Sequence, residues 1–169
     1  MADMREIIIE KVTVNIGVGA PGDKLEQAKT LLSRLTENRK PVETHARKRD
    51  PVFKLRKGLP IGAKVTLRGK GAKSFLEKAL AAKKKLLKES NFDKQGNFAF
   101  GVHEYIDFPG AKYDPAIAMF GFDVCVSLGR KGRRVVSRKL RSSRIGKSHR
   151  VTKEEAMEFA KNAFSVRLE

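Results

Sequence analysis

The sequence holds a single cysteine in 169 residues, Cys125. No disulfide can close within the chain, and no cysteine-based zinc site can form. A reducing compartment suits that composition. Long apolar runs are missing too: none approaches the ~18 residues that a membrane span needs. The first residues show no charged and then apolar leader with a small-residue cleavage site. A cytosolic protein is the expectation. Acids are scarce, 19 Asp and Glu against 37 Lys and Arg, which leaves a net charge of +18. Such an excess repels itself unless a polyanion neutralises it. Nucleic acid is the partner this charge implies, and an acidic membrane surface is the second candidate.

Catalytic sets are missing as well. His45, His103 and His149 are too scattered for a metal cluster. His103-Glu104 matches half of a deaminase signature but has no cysteines to complete a zinc site. Gly146-Lys147-Ser148 matches the end of a phosphate loop, yet Arg141 stands where the earlier glycine belongs. Gly17-Val18-Gly19-Ala20-Pro21-Gly22 does fit G-x-G-x-x-G between a strand and a helix, so a nucleotide-dependent enzyme is an alternative to weigh. Against it, Pro21 removes an N–H where a phosphate needs donors. Glu43, the carboxylate at about the right distance for a ribose, lies in a cationic stretch flanked by Pro41. A plain glycine turn from strand to helix is the stronger reading. No catalytic residue, metal or cofactor is expected.

What is present is dense positive charge in two blocks. The first runs from Arg39 to Gly69 and carries Arg39, Lys40, Arg47, Lys48, Arg49, Lys54, Arg56, Lys57, Lys64 and Arg68, offset only by Glu43 and Asp50. Its end alternates: Lys64, Thr66 and Arg68 on one face, Val65 and Leu67 on the other. That is a half-buried strand with a cationic exposed face. The second block is an arm over residues 129–151. It includes Arg133, Arg134, Arg138, Lys139, Arg141 and Arg144 and contains no acid. Interspersed serines suggest an arm that is mobile before RNA binds, and Gly129 to Gly132 suits a hairpin turn.

The remaining segments supply a core. Arg5 to Val18 predicts a strand, with Val12, Val14 and Ile16 on one side and Lys11, Thr13 and Asn15 on the other. Asp23 to Glu37 predicts an amphipathic helix, as does Ala72 to Lys88, whose outer face would carry Lys83, Lys84, Lys85 and Lys88. Strands are expected over 98–107 and 118–128. Thr152 and Glu155 form a T-x-x-E capping box for a last helix. The order implies one α+β domain over residues 1–169, mostly antiparallel, with helices on one face of the sheet and an open face opposite.

Lys11-Val12-Thr13-Val14-Asn15-Ile16-Gly17-Val18-Gly19 and the run from Phe53 to Gly69, FKLRKGLPIGAKVTLRG, resemble the large-subunit ribosomal protein L five family. Members of that family bind 5S ribosomal RNA in the central protuberance. Gly96-Asn97-Phe98, Phe100 to Glu104 and Phe108-Pro109 continue the likeness, which covers nearly the whole chain. The arginine-rich arm and Ser148 to Ala156 resemble the archaeal and eukaryotic branch.

The resemblance implies a structural protein without catalysis, clamping 5S ribosomal RNA and tying it to large-subunit ribosomal RNA. It implies 5S contacts at Asn15, Phe53 and Thr66, with Lys54, Arg56, Lys64 and Arg68 beside them. Arg39, next to Lys40, stands where bacterial members carry glutamine, and suits a phosphate grip. The loop over 45–57 is implied to reach P-site transfer RNA through Arg47, Lys48 and Arg49. A neighbouring 5S-binding ribosomal protein and a small-subunit protein across an intersubunit bridge complete the implied partners. No membrane and no small-molecule substrate are implied. A non-ribosomal RNA chaperone, binding single strands without preference, is the third reading.

Overall fold

The computed structural model describes residues 4–169. Five strands form one sheet: β1 (Ile7–Gly17), β2 (Val42–His45), β3 (Pro60–Leu67), β5 (Phe98–Val102) and β6 (Phe122–Arg130). Their order across the sheet is β2-β3-β1-β6-β5. The sheet is mostly antiparallel, and the fold is α+β as the sequence implies. The chain contacts resolve two compact units, and β1, β5 and β6 each contribute to both.

One unit takes Thr13–Leu67 and Gly101–Val124. Its helix α1 (Asp23–Leu35) packs on β3. Leu25, Ala28, Leu31 and Leu32 are buried, as their spacing dictates. Gly22 provides no side-chain cap, so Asp23 and Glu26 face the positive end of the helix dipole instead. The helix stops at Thr36, whose hydroxyl and N–H both donate to the Leu32 carbonyl. Glu37 and Asn38 then turn left-handed. The long loop over 104–120 is pinned to this helix. Arg34 meets Asp114 at 2.6 Å, and the Ala118 N–H donates to Gln27 Oε1. The Tyr105 hydroxyl, buried beneath the loop, accepts the Asp114 N–H.

β2 and β3 pair antiparallel with Val42 opposite Lys64, Glu43 opposite Ala63 and Thr44 opposite Gly62. Gly62 is where the backbone at the end of β1 and the Thr44 side chain of β2 crowd β3. A Cβ there would lie 2.6 Å from the Ile16 carbonyl oxygen and 2.8 Å from Thr44 Oγ1.

The other unit takes the chain up to Val12, then Arg68–Phe100 and Cys125–Glu169. Helix α2 (Lys70–Ala82) buries Ala72, Phe75, Leu76, Ala79 and Leu80. It ends six residues before the expected Lys88. Lys84 and Lys85 are left-handed, and the Lys85 N–H donates back to the Leu80 carbonyl. The lysine run is therefore a helix terminus, where cations complement the dipole, and not a helical face. Tertiary pairing overrides helix propensity here. Leu86 and Leu87 form β4, which pairs in parallel with β7 (Arg167–Leu168), and Leu87 is buried.

Two strand boundaries also differ from expectation. β5 stops at Val102, and Tyr105–Asp107 form a 3-10 turn. β6 starts four residues later than expected and runs on through Arg130, so no hairpin forms at Gly129 to Gly132. The chain turns at Gly132 instead and enters the one-turn helix α3 (Arg134–Ser137). The last helix, α4 (Lys153–Phe164), carries the predicted reciprocal capping box between Thr152 and Glu155.

Gly62→Ala should lower stability by about 1–3 kcal/mol in urea unfolding, the scale of forced overpacking. Gly17→Ala, where a Cβ meets nothing within 4 Å, should change it by less than ~0.5 kcal/mol.

Candidate nucleic-acid interface

The alternation in β1 and β3 builds the core and the open face together. Val14 and Ile16, and Ala63, Val65 and Leu67, are buried. Their neighbours must then point the other way. Thr13 and Asn15 are half-buried, while Lys64 and Thr66 are exposed. The two strands are neighbours in the sheet. They run antiparallel, since the Val18 and Gly19 N–H groups donate to the Ile61 carbonyl at one end while Arg68 reaches the Glu10 carbonyl at the other. The face of this unit thus offers an amide, two hydroxyls and an ammonium side by side. Groups of those kinds are able to meet base edges and riboses and to offset a phosphate.

The 45–57 loop of the same unit is an ordered hairpin. The Asp50 and Leu55 backbones exchange both hydrogen bonds, at 3.0 and 2.8 Å. Asp50 Oδ1 accepts the Val52 and Phe53 N–H groups, so a carboxylate shapes the tip. Ala46 is buried, accepts the Gly58 N–H and donates to Leu59. Arg47, Lys48, Arg49, Lys54 and Arg56 are all exposed around it. Val52 and Phe53 crown the tip at 84% and 71% exposure. The phenyl ring is not a core aromatic, and it does not fold back to be buried on the sheet. It stands out as a free stacking face among cations.

Charge is arranged so that the acids do not blunt this surface. Lys29 donates to Glu43 at 2.6 Å and to Glu26 at 2.7 Å. The Lys29 hydrogen bond and charge hold the Glu43 carboxyl below its usual range, while the hydrogen bonds from Glu26 and Glu43 raise Lys29. Glu43 is therefore a partner of α1 and not a ribose ligand. The glycine turn is equally committed, because the Val18 and Gly19 N–H groups are used on Ile61. Arg39 and Lys40 lie exposed just beyond α1. No cluster of metal-ligating side chains exists among the described residues.

In the other unit Arg68 is exposed, and the arm is folded back by acids from outside it. Lys131 meets Glu6 and Arg133 meets Glu10, each at 2.5 Å. Arg130 meets Glu155 at 2.5 Å with its side chain only 8% exposed. Arg130 also donates to the Ser148 carbonyl, and Arg138 to that of Arg141. Arg134, Lys139, Arg141 and Arg144 remain exposed. Sequence reasoning missed that the first cations of the arm are tethers. The signal was in the capping box: the acid that caps α4 is the one that receives Arg130.

Glu155 is held below its usual pKa first by the Thr152 backbone N–H and then by Arg130. A lowered carboxyl stabilises the fold above the ordinary glutamate range, and the effect is lost as pH falls through the lowered value. Glu155→Gln should therefore lower the urea midpoint at neutral pH, and the gap from the parent protein should close in acid.

A family model described as Ribosomal protein L5 matches residues 3–56, and a second model, for the C-terminus of the same ribosomal family, matches residues 60–159. Curated relatives are similar along the whole length. A Large ribosomal subunit protein uL5 of Methanococcus maripaludis is 49% identical, covering 96% of this chain and 91% of its own. That of Sulfurisphaera tokodaii is 52% identical, with 96% and 92% covered. That of Sulfolobus acidocaldarius is 48% identical, with 96% and 91% covered. These relatives are named as structural proteins of the large ribosomal subunit and not as enzymes. On matches of that extent, the chain belongs to the ribosomal protein L5 family, as a protein of the large ribosomal subunit that works beside ribosomal RNA and other ribosomal proteins.

Proposed function

We propose that this protein clamps 5S ribosomal RNA and ties it to large-subunit ribosomal RNA. The observation that carries the reading is the open face of β1 and β3, where Asn15, Thr13, Thr66 and Lys64 stand together. Asparagine is disfavoured in strands, so β-propensity does not explain Asn15. A polar face over an apolar one, flanked by cations, suits an RNA surface with splayed bases. Phe53 is the aromatic that would stack on such a base, and Lys54 and Arg56 would hold its phosphates. Arg39, Lys40 and Arg68 would extend the phosphate grip. The Arg47-Lys48-Arg49 hairpin projects far enough in sequence from the sheet to serve a second RNA, and P-site transfer RNA is the partner proposed for it. Arg134, Arg138, Lys139, Arg141 and Arg144 would hold the large-subunit RNA, while Arg133, expected among them, is tied to Glu10 and would serve as their anchor. A neighbouring 5S-binding protein and a small-subunit protein across an intersubunit bridge complete the proposal.

Asn15→Ala should leave the melting temperature nearly unchanged and weaken 5S ribosomal RNA binding by about 1–3 kcal/mol, the scale of a lost specific polar contact. A size-matched unrelated RNA should be bound as before. Equal losses for both RNAs would make Asn15 a folding residue. Deleting Arg47 to Arg49 should preserve 5S binding in gel shifts while weakening P-site transfer RNA retention on reconstituted ribosomes. Full retention would end the transfer-RNA part of the reading.

A further inference from the structure

The arm encloses something that a plain cationic tail lacks. Within the unit that holds it, the arm, the end of β6 and the turn at 94–97 surround a cavity of about 410 Å³. That lies in the range of ~300–1,000 Å³ typical of small-ligand pockets. Its lining divides by chemistry. Leu128, Val136, Ile145 and Val151 give it apolar surface. Gln95 and Asn97 add two side-chain amides. Lys94, Arg144 and Arg150 add cations that make no ion pair among the described residues. Arg130 also lines it, and its buried Nε finds no hydrogen-bond acceptor. An orphaned guanidinium N–H in a pocket wall asks for an acceptor from outside the chain. Val136 is 46% exposed in the midst of charge, which leaves apolar surface for a ligand to cover.

We infer that this cavity receives one nucleotide extruded from ribosomal RNA, its base against Val136 and Ile145 and its phosphate toward Arg144 and Arg150. The inference rests on the ribosomal RNA reading and deepens it. A surface that reads only backbone phosphates needs neither apolar wall nor amides. A splayed base needs both, together with fixed positive charge for the phosphate beside it. Asn97 and Gln95 match the edge of a base, since an amide offers a donor and an acceptor at once. The ion pairs of Arg130 and Arg133 with Glu155 and Glu10 keep the walls in place before the ligand arrives. Their charge is already met, so the free cations are the ones left to the phosphate.

The test uses the full chain bound to a large-subunit RNA fragment. Ultraviolet cross-linking and mass spectrometry should find a single-nucleotide adduct on peptides covering 94–97 or 136–150. Val136→Trp fills the cavity without altering charge. It should remove that adduct and weaken binding to the fragment about tenfold, with an unchanged salt slope and thermal melt. Arg144→Ala should instead reduce the salt slope by about one phosphate contact. Loss of the adduct to competing adenosine 5′-monophosphate would support the site and make a free nucleotide its ligand; resistance at millimolar levels, with the adduct retained, would support RNA as the source. An adduct confined to β1, β3 or the 45–57 hairpin, with Val136→Trp binding normally, overturns the pocket and leaves the RNA-binding reading standing. Displacement by an acidic peptide but not by nucleotide also overturns it, in favour of a protein tail. Failure of the parent protein to bind the fragment at all would be a failure of the underlying reading.

Discussion

Everything in this molecule works against the repulsion of its own charge. With 37 cations and 19 acids, the fold survives only if the few carboxylates sit where they hold elements together. The ion pairs do that across long stretches of sequence. Glu43 ties β2 to α1, Asp114 ties the 104–120 loop to α1, and Glu155 ties the arm to α4. Glu10 in β1 and Glu6 just before it anchor the start of the arm. Exposed pairs of this kind are weak singly. Their value here is placement: each of these acids neutralises a cation of the scaffold, while Arg47, Lys48 and Arg49 of the hairpin, Lys64 of the open face and Arg134, Lys139, Arg141 and Arg144 of the outer arm make no ion pair among the described residues.

The second constraint is the period of the strand. Because side chains alternate, Val12, Val14 and Ile16 can fill the core only if Lys11, Thr13 and Asn15 face away. The same is true of Val65 against Lys64 and Thr66. Core and open face are one pattern, so the open face cannot drift in register without exposing the core. That rigidity matters to recognition, since a group held by a strand is placed more accurately than one on a loop. Gly62 reinforces it by letting β2, β3 and the end of β1 approach closely.

Legibility followed the range of the interactions. Strands β1 and β3, helix α1 and the capping box could be read because local period and local chemistry decide them. Lys84 and Lys85 could not. Nothing in KKKLL forbids a helix, and what ends α2 is the pairing of Leu86 and Leu87 with a strand at the far end of the chain. The arm shows the same limit. Its composition predicts an unpaired tail, but the acids that hold it come from residues 6, 10 and 155. The outward faces of Asn15, Lys64 and Thr66 were legible from the alternation of their strands. The outward stance of Phe53 was not, because it follows from the Asp50 turn and the hairpin's own backbone bonds.

Phe53 and Val52 also bear on what the hairpin is for. Two large apolar side chains at 71% and 84% exposure cap a loop of like charges, where nothing in their own unit covers them. A loop selected for charge alone would have polar residues at its tip, because exposed phenyl surface contributes nothing to repelling or attracting phosphate. A phenyl ring amid arginines and lysines is worth keeping where a flat, anionic partner meets it: the ring stacks on a base while the cations hold the flanking phosphates. Under the proposed function the tip would meet exposed bases, and the left-handed Lys54 that follows Phe53 turns the chain back toward β3. Fixed turn geometry spares the ordering entropy that a floppy basic loop would lose on binding.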